Sequence, residues 1–315
     1  MAAAIEVSDL RKTFPGAGSR RGSEPVEAVA GISFTIEPGE RLAYIGPNGA
    51  GKSTSIKMLT GILRPTSGTA SVLGIVPWER RRELAMQIGT LFGQRSQLWP
   101  QLTSRQTYGL LARIYRLSPE QERHAVSELG DLLDANDLFD RPVRTLSLGQ
   151  RMRCELVCSL LHGPQVLFLD EPTIGLDLVA KARFRDLVLR INEERRTTVF
   201  LTSHDVSDIE HVARRVIVIN HGRLIYDDRV GRMRRELLAT KMVDVRFEEP
   251  LTELNVEGAH VEKLSGAGAK LVVDTEQRPI RAVLDELLDR YRVVDISVTD
   301  PPLDEIVSHI YARPA

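Results

Sequence analysis

The stretch Gly46-Pro47-Asn48-Gly49-Ala50-Gly51-Lys52-Ser53-Thr54 decides the reading of this chain. Arg41–Ile45, just before it, is a short apolar run of the kind that forms a buried strand. The residues from about Lys52 onward have helical character. Strand, glycine-rich loop and helix, in that order, are the setting in which such a loop cradles phosphate. Glycines let the backbone curl until successive N–H groups converge on one anion. The helix start adds a partial positive charge at the same point. In that geometry Lys52 reaches the β and γ phosphates, and the Ser53 hydroxyl ligates Mg²⁺.

Working outward, strands alternate with helices. Ile5–Leu10 alternates as an opening strand, as do Ile32, Phe34 and Ile36. Residues 15–27 read as an exposed flexible loop. Ile88–Phe92, Val166–Leu169, Thr198–Leu201 and Val216–Ile219 are further strands, with helices expected at 179–194 and 206–213. This is an α/β core. Residues 95–162 are helical and look like an insertion. Thr103-x-x-Gln106 and Ser118-Pro119-x-Gln121 both fit a capping box. After about 240 the rhythm changes to short strands at 243–247, 260–264, 270–273 and 294–298, with a helix at 279–290. Asp300-Pro301-Pro302 would cap a last helix. The expected division is therefore a nucleotide-binding domain over 1–239 and a small acidic α+β domain over 240–315.

Composition narrows the function. Of 315 residues, 42% are hydrophobic and 27% charged, which is ordinary for a globular chain. The net charge of −1 gives no whole-chain basic excess, so nucleic acid is not an expected partner. Residues 240–315 carry 9 basic and 15 acidic side chains, so the two parts differ in surface. No secretory signal opens the chain, and no apolar run reaches the length of a membrane span. Work at a membrane would require other chains to cross it. Cys154 and Cys158, four apart on an expected helix, fit packing rather than a disulfide framework or a zinc site.

Two further elements carry chemistry. Val166-Leu-Phe-Leu-Asp170-Glu171 is an apolar strand ending in two carboxylates. Asp170 stands where a phosphate-loop NTPase holds Mg²⁺, and Glu171 can polarise an attacking water. Leu146-Ser147-Leu148-Gly149-Gln150 lies upstream of it. Ser147 falls where a helix begins, so its hydroxyl and the N–H groups after it form a second anion site.

With these motifs in order, residues 4–230 resemble the ATP-binding cassette of an ABC transporter, a P-loop NTPase with a RecA-like core and a helical subdomain. In the resemblance Gly46–Thr54 is Walker A, Gln94 the Q-loop glutamine and Leu146–Gln150 the signature. Val166–Glu171 is Walker B, Gly175-Leu176-Asp177 the D-loop and Thr202-Ser203-His204 the switch. The family implies ATP and Mg²⁺ as ligands, bound by Gly46, Asn48, Gly49, Gly51, Lys52, Ser53 and Thr54. Metal contacts would come from Ser53, Asp170 and Gln94, the last touching Mg²⁺ or the attacking water and reporting nucleotide state to the membrane partner, and an aromatic, here Phe14, would stack on adenine. It implies a head-to-tail dimer, with an identical or similar cassette, in which Ser147, Gly149 and Gln150 of one copy complete the ATP site of the other. Glu171 would be the general base and His204 would hold the γ-phosphate. Asp177 would couple the two sites. The signature departs from the usual Gly-Gly after Ser; Leu148 must turn away from phosphate. Trp99, beside Pro100, suits a docking groove for a membrane subunit.

The resulting expectation is the ATP-hydrolysing subunit of a transporter, peripheral on the cytoplasmic face of the cell membrane, working with integral permease subunits. The alternative is a soluble ABC ATPase without a transport role. Against it, the chain has one cassette rather than two, and it has no coiled-coil or zinc insertion. The short tail resembles exporter subunits. The strand–helix content of 242–312 leaves a methionine-importer type open as well; export is the expectation.

Overall fold

Ile5–Phe14 (β1) pairs antiparallel with Val26–Ile36 (β2) on one side and Ser67–Val72 (β4) on the other. The main sheet has the order β5-β6-β7-β3-β8-β9. Its strands are Ile88–Phe92 (β5), Val166–Asp170 (β6), Thr198–Thr202 (β7), Arg41–Ile45 (β3), Arg215–Asn220 (β8) and Arg223–Arg229 (β9). The pairs of β5 with β6, β6 with β7, β7 with β3 and β3 with β8 are parallel. Nearly continuous apolar runs such as Val166-Leu-Phe-Leu suit strands covered on both faces, and β3 and β7 are buried throughout. The structure is a computed structural model that describes residues 2–15, 25–93, 96–203, 205–233, 240–275 and 277–299.

Phe34, Tyr44, Phe200 and Phe168 form a chain of tilted aromatic contacts inside one core cluster, at centroid spacings of 5.2 to 5.9 Å for successive pairs. A second cluster joins the other helices to the sheet through Leu167, Leu169, Val199 and Leu201. Its helices include Ser104–Ile114 (α3), Pro119–Leu132 (α4) and Leu148–Leu160 (α5). All three begin with a complete capping box, at Thr103/Gln106, Ser118/Gln121 and Ser147/Gln150. Other α-helices of this part are Lys52–Leu59 (α1), Arg81–Ala85 (α2), Leu178–Arg195 (α6) and Val206–Val212 (α7).

The chain divides into two compact units between Asp228 and Arg229, upstream of the composition change at 240. The second unit is a four-stranded antiparallel sheet of order β11-β12-β10-β13. It comprises Thr240–Phe247 (β10), Ala259–Ser265 (β11), Gly268–Asp274 (β12) and Val293–Thr299 (β13). The helix Ile280–Arg290 (α8) buries Val283 and Leu287 in the same core as Val243, Val245 and Leu271.

Three differences from the sequence reading have physical causes. β1 runs on to Phe14 and β2 starts at Val26, so strand replaces both ends of the loop expected over 15–27; residues 16–24 lie outside the described residues. β4 is a strand without a sequence signature, because Ser-Gly-Thr-Ala-Ser-Val has small residues at most positions. β9 is half-buried, its short Leu224-Ile225-Tyr226 run set between charged residues at the edge of the sheet. The last helix expected after Asp300 falls outside the described residues.

Candidate active site

The C-terminal edge of the parallel sheet gathers the chemistry, as α/β sheets do. Phe92, Asp170 and Thr202 stand in cross-strand register on β5, β6 and β7. The glycine-rich loop leaves the end of β3. It is wedged so closely that two positions admit only glycine. A Cβ on Gly46 would meet Ile219 O at 2.2 Å, and one on Gly51, at φ +110°, would meet Ala28 O at 2.5 Å. Gly49, at φ +83°, has nothing within 4 Å of its Cβ position and faces open space. Gly49, Gly51, Lys52, Ser53, Thr54 and exposed Asn48 line a cradle of about 240 Å³, with Glu171 on its wall.

Lys52 opens α1 and is buried; its Nζ donates to Gly46 O at 2.6 Å and lies 3.8 Å from Glu171 Oε1. Burial draws its pKa below the usual lysine value, against the opposing pull of Glu171 and Asp170. Ser53 Oγ is 3.4 Å from Asp170 Oδ1. Asp170 is fixed from its other side by the Thr202 hydroxyl, which donates to Oδ1 at 2.7 Å. The Glu171 N–H donates to both Thr202 O and Thr202 Oγ1 at 3.1 Å. Glu171 itself has φ +52°, a left-handed conformation uncommon outside glycine, so its backbone is strained where its side chain enters the cradle. Gly93 accommodates this turn: a Cβ there would meet Glu171 O at 2.3 Å.

A second cleft, of about 290 Å³, lies between the start of α5 and the start of α6. Exposed Ser147 caps α5: its Oγ accepts from the Gln150 N–H at 3.2 Å, and Gln150 Oε1 accepts from the Ser147 N–H at 3.0 Å. Leu148 leans on the loop before α6, its Cδ2 3.2 Å from a Cβ position on Gly175. Asp177 caps α6 through the Ala180 N–H at 2.8 Å. Gly149 faces Ala180: a Cβ added at Gly149 would meet the Ala180 Cβ at 3.1 Å. This cleft and the cradle share no lining residue.

Gln94 and His204 lie outside the described residues, but their flanks are held tightly. Ser203 Oγ donates to Asp208 at 2.8 Å, Thr173 Oγ1 donates to the same carboxylate at 2.6 Å, and Arg185 Nε does so at 2.6 Å. Asp205 accepts from Lys181 Nζ at 2.6 Å. Phe14 is half-buried at the end of β1, paired with Val26, with Lys12 Nζ 5.3 Å from its ring centre. It does not line the cradle. The sequence reading places Thr202 in the switch tripeptide without an anchoring role, and does not include Asp208. Their signal was adjacency: Thr202 opens the switch tripeptide, and Asp208 follows it by four residues.

Among the described residues no group of three or more His, Cys, Asp or Glu side chains could hold a metal ion. Ser53 and Asp170 are nevertheless a fitting pair for Mg²⁺, which takes one or two hard protein oxygens and completes its shell with phosphate and water.

Comparison with known proteins agrees with this geometry. The ABC transporter family pattern matches residues 29–174. The daunorubicin resistance ATP-binding protein DrrA3 of Streptomyces coeruleorubidus is 31% identical over 96% of each chain. The Nod factor export ATP-binding protein I of Sinorhizobium fredii is 32% identical over 85% of this chain and 75% of its own. The dimeric ATP-binding cassette MJ0796, solved in a post-hydrolysis state with ADP and Pi, superposes with a TM-score of 0.62 and 26% identity, covering 72% of this chain and 98% of that one. The chain belongs to the ABC transporter family of ATP-binding subunits. The cassette is an ATPase, and the glycine-rich loop, the β6 carboxylates and the α5 start occupy the sheet and helix positions that its sequence order implied. No helix among the described residues is long and apolar enough to cross a membrane.

Proposed function

We propose that the cassette powers export through separate integral membrane subunits, as a head-to-tail pair of copies closing on two ATP molecules at the cytoplasmic face of the membrane. The observation carrying this is the separation of the cradle from the Ser147 cleft. One chain offers a phosphate site with open space above Gly49 and, elsewhere, a capped helix start able to bind anions. A second copy, or a similar cassette, brings the two together. Nod factor export and daunorubicin resistance among the relatives' names favour outward movement of the cargo.

In this reading Lys52 and the loop N–H groups hold the β and γ phosphates, and Phe14 stacks on adenine. Ser53, Asp170 and Gln94 would hold Mg²⁺, which would supply positive charge beside the transferring phosphate. Glu171 accepts the proton of the attacking water, and His204 contacts the γ-phosphate and orients Glu171. Ser147, Gly149 and Gln150 of the partner close the site, and Asp177 couples the two sites. The domain from 240 onward contributes no nucleotide contact and serves dimer stability or permease coupling.

The test is gel filtration of the Glu171→Gln chain with MgATP. ATP should convert monomer to dimer, because binding completes the interface while hydrolysis cannot release it. An elution volume unmoved by saturating ATP would overturn the paired-cassette reading.

A further inference from the structure

Glu155 is a buried carboxyl group in the middle of α5, 4% exposed, that neither the nucleotide site nor any motif accounts for. Its two oxygens reach out of the helix to one short segment. Ser96 Oγ donates to Oε1, and the Gln97 N–H donates to Oε2 at 2.9 Å. The Gln97 side chain completes the attachment, donating to Thr90 O on β5 at 2.5 Å and lying 3.3 Å from Ser159 Oγ on α5. Ser159 in turn donates to Thr90 O at 2.9 Å. Two points one turn apart on α5 are thus bolted to the chain just after β5.

What this segment carries matters. Leu98 is buried at 3%, while Trp99, next to it, is 45% exposed. At the other end of the same helix stands Ser147. Cys154 and Leu156 to Leu160 are buried, so α5 is a continuous rod gripped by its core. A displacement of residues 96–99 cannot be absorbed between Glu155 and Ser147 without breaking helical hydrogen bonds.

We propose that Glu155 is a positioning residue that locks the Trp99 segment to the signature helix, so that engagement of Ser147 by nucleotide and displacement of Trp99 are one movement. This rests on the reading that Ser147 contacts nucleotide in the paired cassette. The carboxyl group suits the task because both its oxygens accept, matching one hydroxyl and one backbone N–H.

Trp99 reports on its own test, since the chain has two tryptophans and the other, Trp78, packs against the core. In the full chain carrying Glu171→Gln and Trp78→Phe, MgATP should shift Trp99 emission as the dimer forms. With Glu155→Leu added, ATP should still bind and the dimer still form, but the shift should be lost. Glu155→Gln should restore it, because the amide accepts from Gln97 N–H and donates to Ser96 Oγ. Should Glu155→Leu prove unfolded by circular dichroism, Ser96→Ala with Gln97→Ala loosens the same attachment from the exposed side and should also silence Trp99. A shift retained in the folded Leu variant, or absent from the parent dimer, overturns the proposal. Failure of the parent to bind ATP or to dimerise overturns the paired-cassette reading instead.

Discussion

Thr202 and Asp170 stand opposite each other on adjacent parallel strands, and the Thr202 hydroxyl donates to Asp170 Oδ1 at 2.7 Å while accepting the Glu171 N–H at 3.1 Å. One buried hydroxyl therefore holds the Asp170 carboxylate and the Glu171 backbone together at the end of β6. Thr202→Val keeps the shape and removes the relay. A hydrogen bond to a charged group is worth about 1.5–3 kcal/mol, so the hydrolysis rate should fall about tenfold to a hundredfold. Thr202→Ser should retain most of it. Steady-state ATPase assays decide, with an unchanged rate in the Val variant counting against the relay.

Lys52→Ala should remove ATP binding by taking away the buried cation of the cradle. Calorimetry with MgATP checks it; undiminished affinity would mean that the phosphates bind elsewhere.

Asp208 is 1% exposed and ties Thr173, Ser203 and Arg185 together. Asp208→Ala leaves a nearly buried guanidinium and two hydroxyls without their shared acceptor. The expected loss is about 3–5 kcal/mol of stability. Urea unfolding measures it; a loss below about 1 kcal/mol would show that the network is not what holds these loops.

Phe14 should matter to the base and not to the phosphates. Phe14→Ala should weaken ATP by about 1–3 kcal/mol, the range of a base–aromatic stack, and leave inorganic triphosphate binding unchanged. Equal weakening of both ligands would assign Phe14 to the fold of the β1–β2 hairpin.

His162 stacks on Tyr115 at a centroid spacing of 3.9 Å and hydrogen-bonds Ile88 O at 3.0 Å. Burial pushes its pKa down to about 4, partly opposed by that carbonyl. The unfolded chain takes up this proton first, near the ordinary histidine value of about 6.5. The neutral ring's contribution is therefore complete above that value and is lost as pH falls toward about 4. Between these limits, stability should fall by up to about 1 kcal/mol per pH unit more in the native chain than in His162→Phe, which keeps the stack. Parallel unfolding profiles for the two chains would contradict the assignment.

The sequence by itself determined the cassette's order and most of its elements. A strand of Val-Leu-Phe-Leu leaves little choice but a buried parallel sheet, and the loop from Gly46 to Ser53 works through backbone geometry that glycine spacing encodes locally. Capping boxes at Thr103 and Ser118 were legible for the same reason: both partners lie within one turn. The tertiary structure alone decided the contacts made at long sequence separation. No local pattern announces that Thr202 would stand in register with Asp170, that Gly93 must yield to the Glu171 carbonyl, or that Glu155 would fasten a segment 58 residues earlier. Those pairings depend on strand order and helix packing, which the whole core fixes at once. They also place the capped start of α5 in a different cleft from the glycine-rich cradle, a separation that no reading along the chain could supply.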